Sequence, residues 1–202
     1  MSEAPGTLPF MHDDVTSRPM SARSVRELRA LVEAGSAVKY LHFWGHRPEP
    51  DGSPGKGNLS QWFEAPFVVD GVRYRTAEHW MMAEKARLFG DADAEIAAIE
   101  AANPALAKAA GRTVRDFDDA VWERERFEIV VRGNTHKFAA HSEMREYLVR
   151  TRSRVLVEAS PRDRVWGIGM GAKNENAENP AAWRGLNLLG FALMEARDRL
   201  LG

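Results

Sequence analysis

Cysteine is absent from all 202 residues. That excludes a disulfide framework, a thiol nucleophile and a thiolate zinc site. It also fits a reducing compartment, so a cytoplasmic location is the expectation. An excess of charge of one sign is missing too: 28 Lys and Arg stand against 29 Asp and Glu, a formal net charge of −1. No global field therefore draws the chain onto nucleic acid or an anionic membrane. No apolar run approaches the roughly 20 residues of a membrane helix. The opening stretch, MSEAPGTLPFMHDDV, has neither the cationic start nor the apolar core of a secretion signal. His136 and His141, five apart, fall on different faces of a helix, with no cysteine or acid cluster beside them. No metal and no cofactor are expected.

What is present is enough chain for one domain with a sizeable core. Residues 1–20 are polar, with scattered Pro, Ser and Asp, and read as a poorly ordered arm. Ser24 to Ala34 reads as an amphipathic helix that places Val25, Leu28, Leu31 and Val32 on one face. Tyr40 to Trp44 reads as a strand, and the Pro- and Gly-rich stretch Arg47 to Asn58 as a long loop. Leu59 to Tyr74 reads as strand, turn and strand, with Asp70-Gly71 as the hairpin signal. Helices are expected from Thr76 to Phe89 and through Ala94–Ala110, the second broken at Asn103-Pro104 and ended by Gly111. Another follows a cap at Asp118 or Asp119, with Gly133 as a weak point, and a fourth is capped by Ser142. A closing amphipathic helix is expected over Trp183–Leu201. The tally is an α+β single domain, mainly helical, packed around a small β-sheet.

The most informative stretch is Val155–Gly171, VLVEASPRDRVWGIGMG. A β-branched apolar run reads as a buried strand, and Ser160-Pro161 stops it because proline cannot donate to a ladder. A carboxylate (Asp163), an indole (Trp166) and bare backbone at Gly167 and Gly169 then follow a strand end, a good place to hold a small polar ligand. Trp166 is placed to stack on a flat heterocycle. Five arginines (Arg150, Arg152, Arg154, Arg162, Arg164) against Glu158 and Asp163 form a basic cluster. Such a cluster either reads a phosphate through forked guanidinium groups or is a solvated basic face. On a helix from Thr76, Glu78, Met82 and Lys85 share one stripe. Glu78 is either a catalytic acid or simply an acid favoured by the helix dipole. Glycines at 167, 169 and 171 lack a helix directly behind them, so a dinucleotide fingerprint is not met.

Read in order, these pieces resemble the YbiA-like, or NADAR, family. The matching stretches are Leu59-Ser60-Gln61-Trp62-Phe63, Pro66–Gly71, Thr76-Ala77-Glu78-His79-Trp80 with Lys85-Ala86, and Ala107-Lys108-x-x-Gly111-Arg112. Further on come Trp122, Lys137-Phe138, Leu156–Ser160, Asp163-x-x-Trp166-Gly167-Ile168-Gly169 and Trp183-x-Gly185-x-Asn187-x-Leu189-Gly190. They cover about residue 40 to the C-terminus, so residues 1–38 are an arm and helix outside the match and 39–202 the domain. Gln61 stands where the family usually has asparagine, and the loop 47–58 is longer than typical. The resemblance implies an N-glycosidase that takes phosphorylated ribosylamino-pyrimidines, early intermediates of riboflavin synthesis. It implies Glu78, Trp122 and Asp163 as catalytic residues, with Lys85 for a branch that removes ADP-ribose from guanine in nucleic acid. Trp166, Gly167, Gly169, Arg162 and Asn187 are expected to bind substrate. The partner is thus a phosphorylated ribosyl small molecule or, in the second reading, ADP-ribosylated nucleic acid, and not a membrane. A non-catalytic NAD or ADP-ribose module is the third reading, though it would not need Glu78, Lys85 and Asp163 together.

Overall fold

The structure, a computed structural model, describes residues 21–202. The expected N-terminal arm, 1–20, lies outside them. The elements run α1 (Val25–Glu33), β1 (Tyr40–Phe43), a 3-10 turn (Lys56–Leu59), β2 (Phe67–Val69), β3 (Val72–Tyr74), α2 (Ala77–Leu88), α3 (Ala92–Glu100), α4 (Pro104–Arg112), α5 (Asp119–Ala139), α6 (Ser142–Arg150), β4 (Val155–Glu158) and α7 (Leu188–Leu201). The fold is α+β, and its small sheet is divided in two. β1 and β4 pair in parallel, with Tyr40 opposite Val155 and Phe43 opposite Glu158. β2 and β3 form a separate antiparallel hairpin. Its turn places Asp70 at φ 49° and Gly71 at φ 80°, the two left-handed positions of a tight hairpin.

Local chemistry sets most boundaries. Side chains of Ser24, Thr76, Asp91, Asn103 and Asp118 each accept a backbone N–H at a helix start, closing one of the donors a helix leaves open. Pro104 sits at the first turn of α4, where its missing N–H costs nothing. The core gathers Trp80 and Met81 from α2, Val130, Val131 and Phe138 from α5, Leu156 and Val157 from β4, and Phe191 and Leu193 from α7. Gly133 lies inside a continuous α5, and a Cβ there would collide with the Trp80 indole, whose N–H donates to Ile129 O at 2.9 Å.

Three boundaries differ from the sequence expectation. Leu59–Pro66 forms no strand, because its carbonyls are engaged elsewhere. The buried Lys137 ammonium donates to Asn58 O at 2.7 Å and Ser60 O at 2.9 Å, and Glu78 N–H donates to Gln61 O at 3.0 Å. Ser142 is the first residue of α6, and His141 takes the cap position with its ring on Pro66 O. Trp183–Asn187 precedes α7 as irregular chain. Backbone N–H groups of Arg184, Leu186 and Asn187 reach back to Ile168, Arg164 and Gly167 carbonyls. That lacing competes with a helical turn and closes the site loop instead.

Candidate active site

α2 delivers Glu78. Its position in the first turn suits the helix dipole, yet it is only 2 % exposed, and its Oε1 has no hydrogen-bond partner. Burial pushes the Glu78 carboxyl up to about 7, opposed by Lys108, the Trp62 indole and Arg112, and helped by Asp163. A surface cap would not behave this way, because solvation would keep it ionised.

β4 delivers a second acid, Glu158. Its N–H donates to Asn187 Oδ1 at 2.9 Å, its carbonyl accepts from Ile168 at 2.9 Å, and its Oε2 is buried without a partner. Burial first, then the charges of Asp163 and Glu78, push the Glu158 carboxyl up to about 8, with Lys108 pulling the other way. Asp163 follows in the loop. Its Oδ1 accepts the N–H groups of Val165 (2.8 Å) and Trp166 (2.7 Å), and its carbonyl accepts from Gly169 at 2.9 Å. That cage of backbone bonds fixes the carboxylate's direction. Gly167 is required here: a Cβ would meet Glu158 O at 2.7 Å.

α4 supplies the positive edge. Gly111 lets α4 press on α2, since a Cβ would collide with Met82. Lys108, one turn before, acts on both acids, and Arg112 acts on Glu78. Further along α2 lies a second cluster. Lys85 Nζ donates to Gly111 O at 2.7 Å, and stands 4.0 Å from the Phe117 ring and 5.7 Å from Trp122. Burial pushes the Lys85 amine down, with Asp119 opposing. Glu78 and Lys85 are thus ends of one helical stripe, about 10 Å apart along the axis.

Of the residues expected from sequence, the Asp163 charge acts on Glu78, while Lys85 and Trp122 form the second cluster. Trp166, Gly167 and Gly169 line the loop behind Asp163. Arg162 is exposed. Asn187, left-handed at φ 52°, spends its side chain on β4: Oδ1 takes Glu158 N–H, and Nδ2 donates to Leu156 O at 2.9 Å. The five-arginine cluster does not converge. Arg150, Arg152 and Arg154 precede β4 and Arg162 and Arg164 follow it, ends about 10 Å apart for a four-residue strand. Arg150 pairs with Glu146 at 2.5 Å. Sequence reasoning assigned no role to Glu158, Lys108, Arg112 or Trp62. The available signal was an acid closing an otherwise wholly apolar buried strand.

Carboxyls with raised proton affinity, flanked by cations and carried by a helix and a strand end, make this part of the α+β domain the candidate active site. Comparison with known proteins places it further. Residues 42–201 match the NADAR domain. The chain is 36% identical over 165 residues to N-glycosidase R617 of Acanthamoeba polyphaga mimivirus, covering 79% of this chain and 95% of that protein. It is 30% identical over 144 residues to N-glycosidase YbiA of Escherichia coli K12, covering 71% and 81%. The solution structure of E. coli YbiA superposes with a TM-score of 0.65 at 26% identity, over 82% of this chain and 87% of that one. The chain belongs to the NADAR domain family.

Proposed function

We propose that this protein hydrolyses the N-ribosyl bond of a phosphorylated ribosylamino-pyrimidine, with Glu78 and Asp163 as the working carboxyls. At the coarser level it is a hydrolase of N-glycosyl bonds, the activity after which its relatives are named. The observation that carries the reading is Glu78: a buried acid, held near 7, in electrostatic contact with a carboxylate caged by backbone N–H groups. Cleavage of an N-ribosyl bond passes through an oxocarbenium-like sugar. Glu78 gives its proton to the leaving nitrogen as the C1′–N bond breaks and the electron pair stays on nitrogen. Asp163 stabilises the cation and takes a proton from the water whose oxygen bonds to C1′. Trp166 stacks on the base. With the arginine cluster divided, the phosphate falls to Arg162 and Arg164 together with Lys108 and Arg112.

A second reading is favoured by one observation, the half-buried Lys85 amine set beside Trp122. There Lys85 attacks the opened aldehyde of an ADP-ribosyl group and loses water to form a Schiff base. Reversed-phase chromatography of the purified protein with each substrate separates the readings. Free pyrimidine and ribose 5-phosphate are the expected products. Release only from ADP-ribosylated guanine oligonucleotides, with a borohydride-trapped adduct on Lys85, would replace the first reading by the second. Tight binding with no turnover of either would leave a binding module.

A further inference from the structure

Arg184 takes no part in the scheme above, yet the fold sets it beside Arg164. The two come from opposite ends of the irregular chain between β4 and α7, and backbone bonds hold those ends together. Leu186 N–H donates to Arg164 O at 2.9 Å, and Arg184 N–H donates to Ile168 O at 3.0 Å. Gly185 makes this approach possible, because a Cβ there would collide with Gly167 O and lie 2.8 Å from Arg164 Cα. Just before Arg184, the Trp183 indole N–H donates to Ala177 O at 2.9 Å, and its ring packs edge-on against Tyr40 with centroids 6.2 Å apart. The root of each arginine is therefore fixed.

Their side chains meet at Gly169, a left-handed residue at φ 69°. A Cβ on Gly169 would lie 3.0 Å from Arg184 Cβ and 3.1 Å from Arg164 Cγ. The two stems thus stand no more than about 6 Å apart, a spacing that lets two guanidinium forks share one anion. Both residues are exposed. Among the described residues, neither guanidinium has a hydrogen bond or an ion pair. The neighbouring acid, Asp163, spends its Oδ1 on the N–H groups of Val165 and Trp166. Two adjacent cations without an acid repel each other. A doubly charged anion between them removes that repulsion and takes up both sets of donors. A phosphate monoester carries close to two negative charges at neutral pH, whereas a phosphodiester carries one.

We propose that Arg164 and Arg184 form a phosphate clamp that selects substrates ending in a phosphate monoester. This deepens the N-glycosidase reading and rests on it for the substrate's identity. Arg164 follows Asp163 directly, and Gly169 N–H donates to Asp163 O at 2.9 Å. A phosphate gripped at Gly169 therefore has a fixed bearing on the carboxylate assigned to the sugar cation. The clamp holds the far end of the ribose and leaves the reacting bond to Glu78 and Asp163. Arg184 is accordingly a specificity residue, in contact with the phosphate and not with the reacting atoms.

The test is a titration of ribose 5-phosphate into the full-length protein, followed by the phosphate resonance in phosphorus NMR, which needs no turnover. Wild type should bind it, and Arg164→Gln and Arg184→Gln should each bind about tenfold to 100-fold more weakly, the range for a hydrogen bond to a charged group. Arg154→Gln, an exposed arginine at the other end of β4, should match wild type within about twofold. Both clamp variants should melt no lower than wild type, since each removes one of two repelling charges from the surface. Undiminished binding by Arg184→Gln would overturn the proposal. So would a dinucleoside monophosphate, which offers only a phosphodiester, binding as tightly as ribose 5-phosphate. The glycosidase reading is judged separately. Ribose 5-phosphate binding that needs both arginines, in a protein that cleaves no ribosylamino-pyrimidine, would leave the clamp standing and defeat that reading. Turnover with KM unmoved in Arg184→Gln would defeat the clamp alone.

Discussion

Glu78, in the first turn of α2, and Glu158, the last residue of β4, each leave a buried carboxyl oxygen without a hydrogen-bond partner, and the charge of Glu78 helps push the Glu158 carboxyl up. Structural acids in a protein interior are normally paired or hydrogen-bonded. These two are held in tension, and the tension has consequences for stability as well as chemistry.

The first consequence is a pH-dependent stability gain when an acid is removed. The folded-state value of Glu78, about 7, lies above its ordinary value of 4.5. The native state therefore binds the proton more tightly than the unfolded chain, and stability falls as pH rises from about 4.5 through about 7. A shift of that size corresponds to about 3 kcal/mol. Glu78→Gln is expected to melt about 6–12 °C higher than wild type above pH 8, and no higher near pH 4.5, by scanning calorimetry. Equal melting shifts at both pH values would show that the acid is not strained.

Lys137 is predicted to govern the Trp62 loop. Its ammonium is wholly buried, burial pushes it down to about 7, and its hydrogen bonds go to Asn58 O and Ser60 O. Lys137→Met removes the side-chain donor to the buried Asn58 O and leaves Ser60 O only the Phe63 N–H at 3.3 Å, a cost of about 1–3 kcal/mol. Lower melting temperature and faster amide exchange over residues 58–63 are expected, with turnover reduced because Trp62 then meets Glu78 less often. Unchanged exchange there would show that the loop is held by other contacts.

Gly190 should tolerate nothing larger. A Cβ at that position collides with Leu156 O, a backbone atom of the buried strand that ends in Glu158. Gly190→Ala is expected to cost about 3 kcal/mol, because neither α7 nor β4 can retreat without opening the core. Urea denaturation measures it, and a loss below about 1 kcal/mol would contradict the packing described.

Much of this was legible from the residues. Caps at Thr76, Asn103 and Asp118 and the Asp70-Gly71 turn are local devices, and local chemistry reads directly from sequence. Of the candidate site, Glu78 and Asp163 could be singled out in the sequence, whereas Glu158 looked like the polar end of an apolar strand. What could not be read was long-range. Pairing of β1 with β4 joins Phe43 to Glu158 across the helices α2–α6. The Lys137 bonds that stop Leu59–Pro66 from being a strand also span 79 and 77 residues of chain. Likewise the backbone lacing from Arg184–Asn187 to Arg164–Ile168 delays α7 beyond its amphipathic pattern. In each case a tertiary partner overrode a local preference.

The same limit divided the arginines. Clustered in sequence, they are parted by β4, and α4 places Lys108 and Arg112 where their charge reaches the acids. Lys108→Gln is accordingly expected to raise both acids' proton affinity and move the alkaline limb of the rate profile upward, while KM for a phosphorylated substrate rises about tenfold. An unmoved limb would remove Lys108 from the site.

The most direct test of the account is ribose 5-phosphate release from a phosphorylated ribosylamino-pyrimidine by wild type and by Glu78→Gln. Wild type should release it, and the variant should be slower by about 100-fold to 10,000-fold at unchanged KM, the range for losing a general acid. Equal release by both proteins would contradict the central claim, leaving an N-glycosidase whose buried Glu78 does no chemistry.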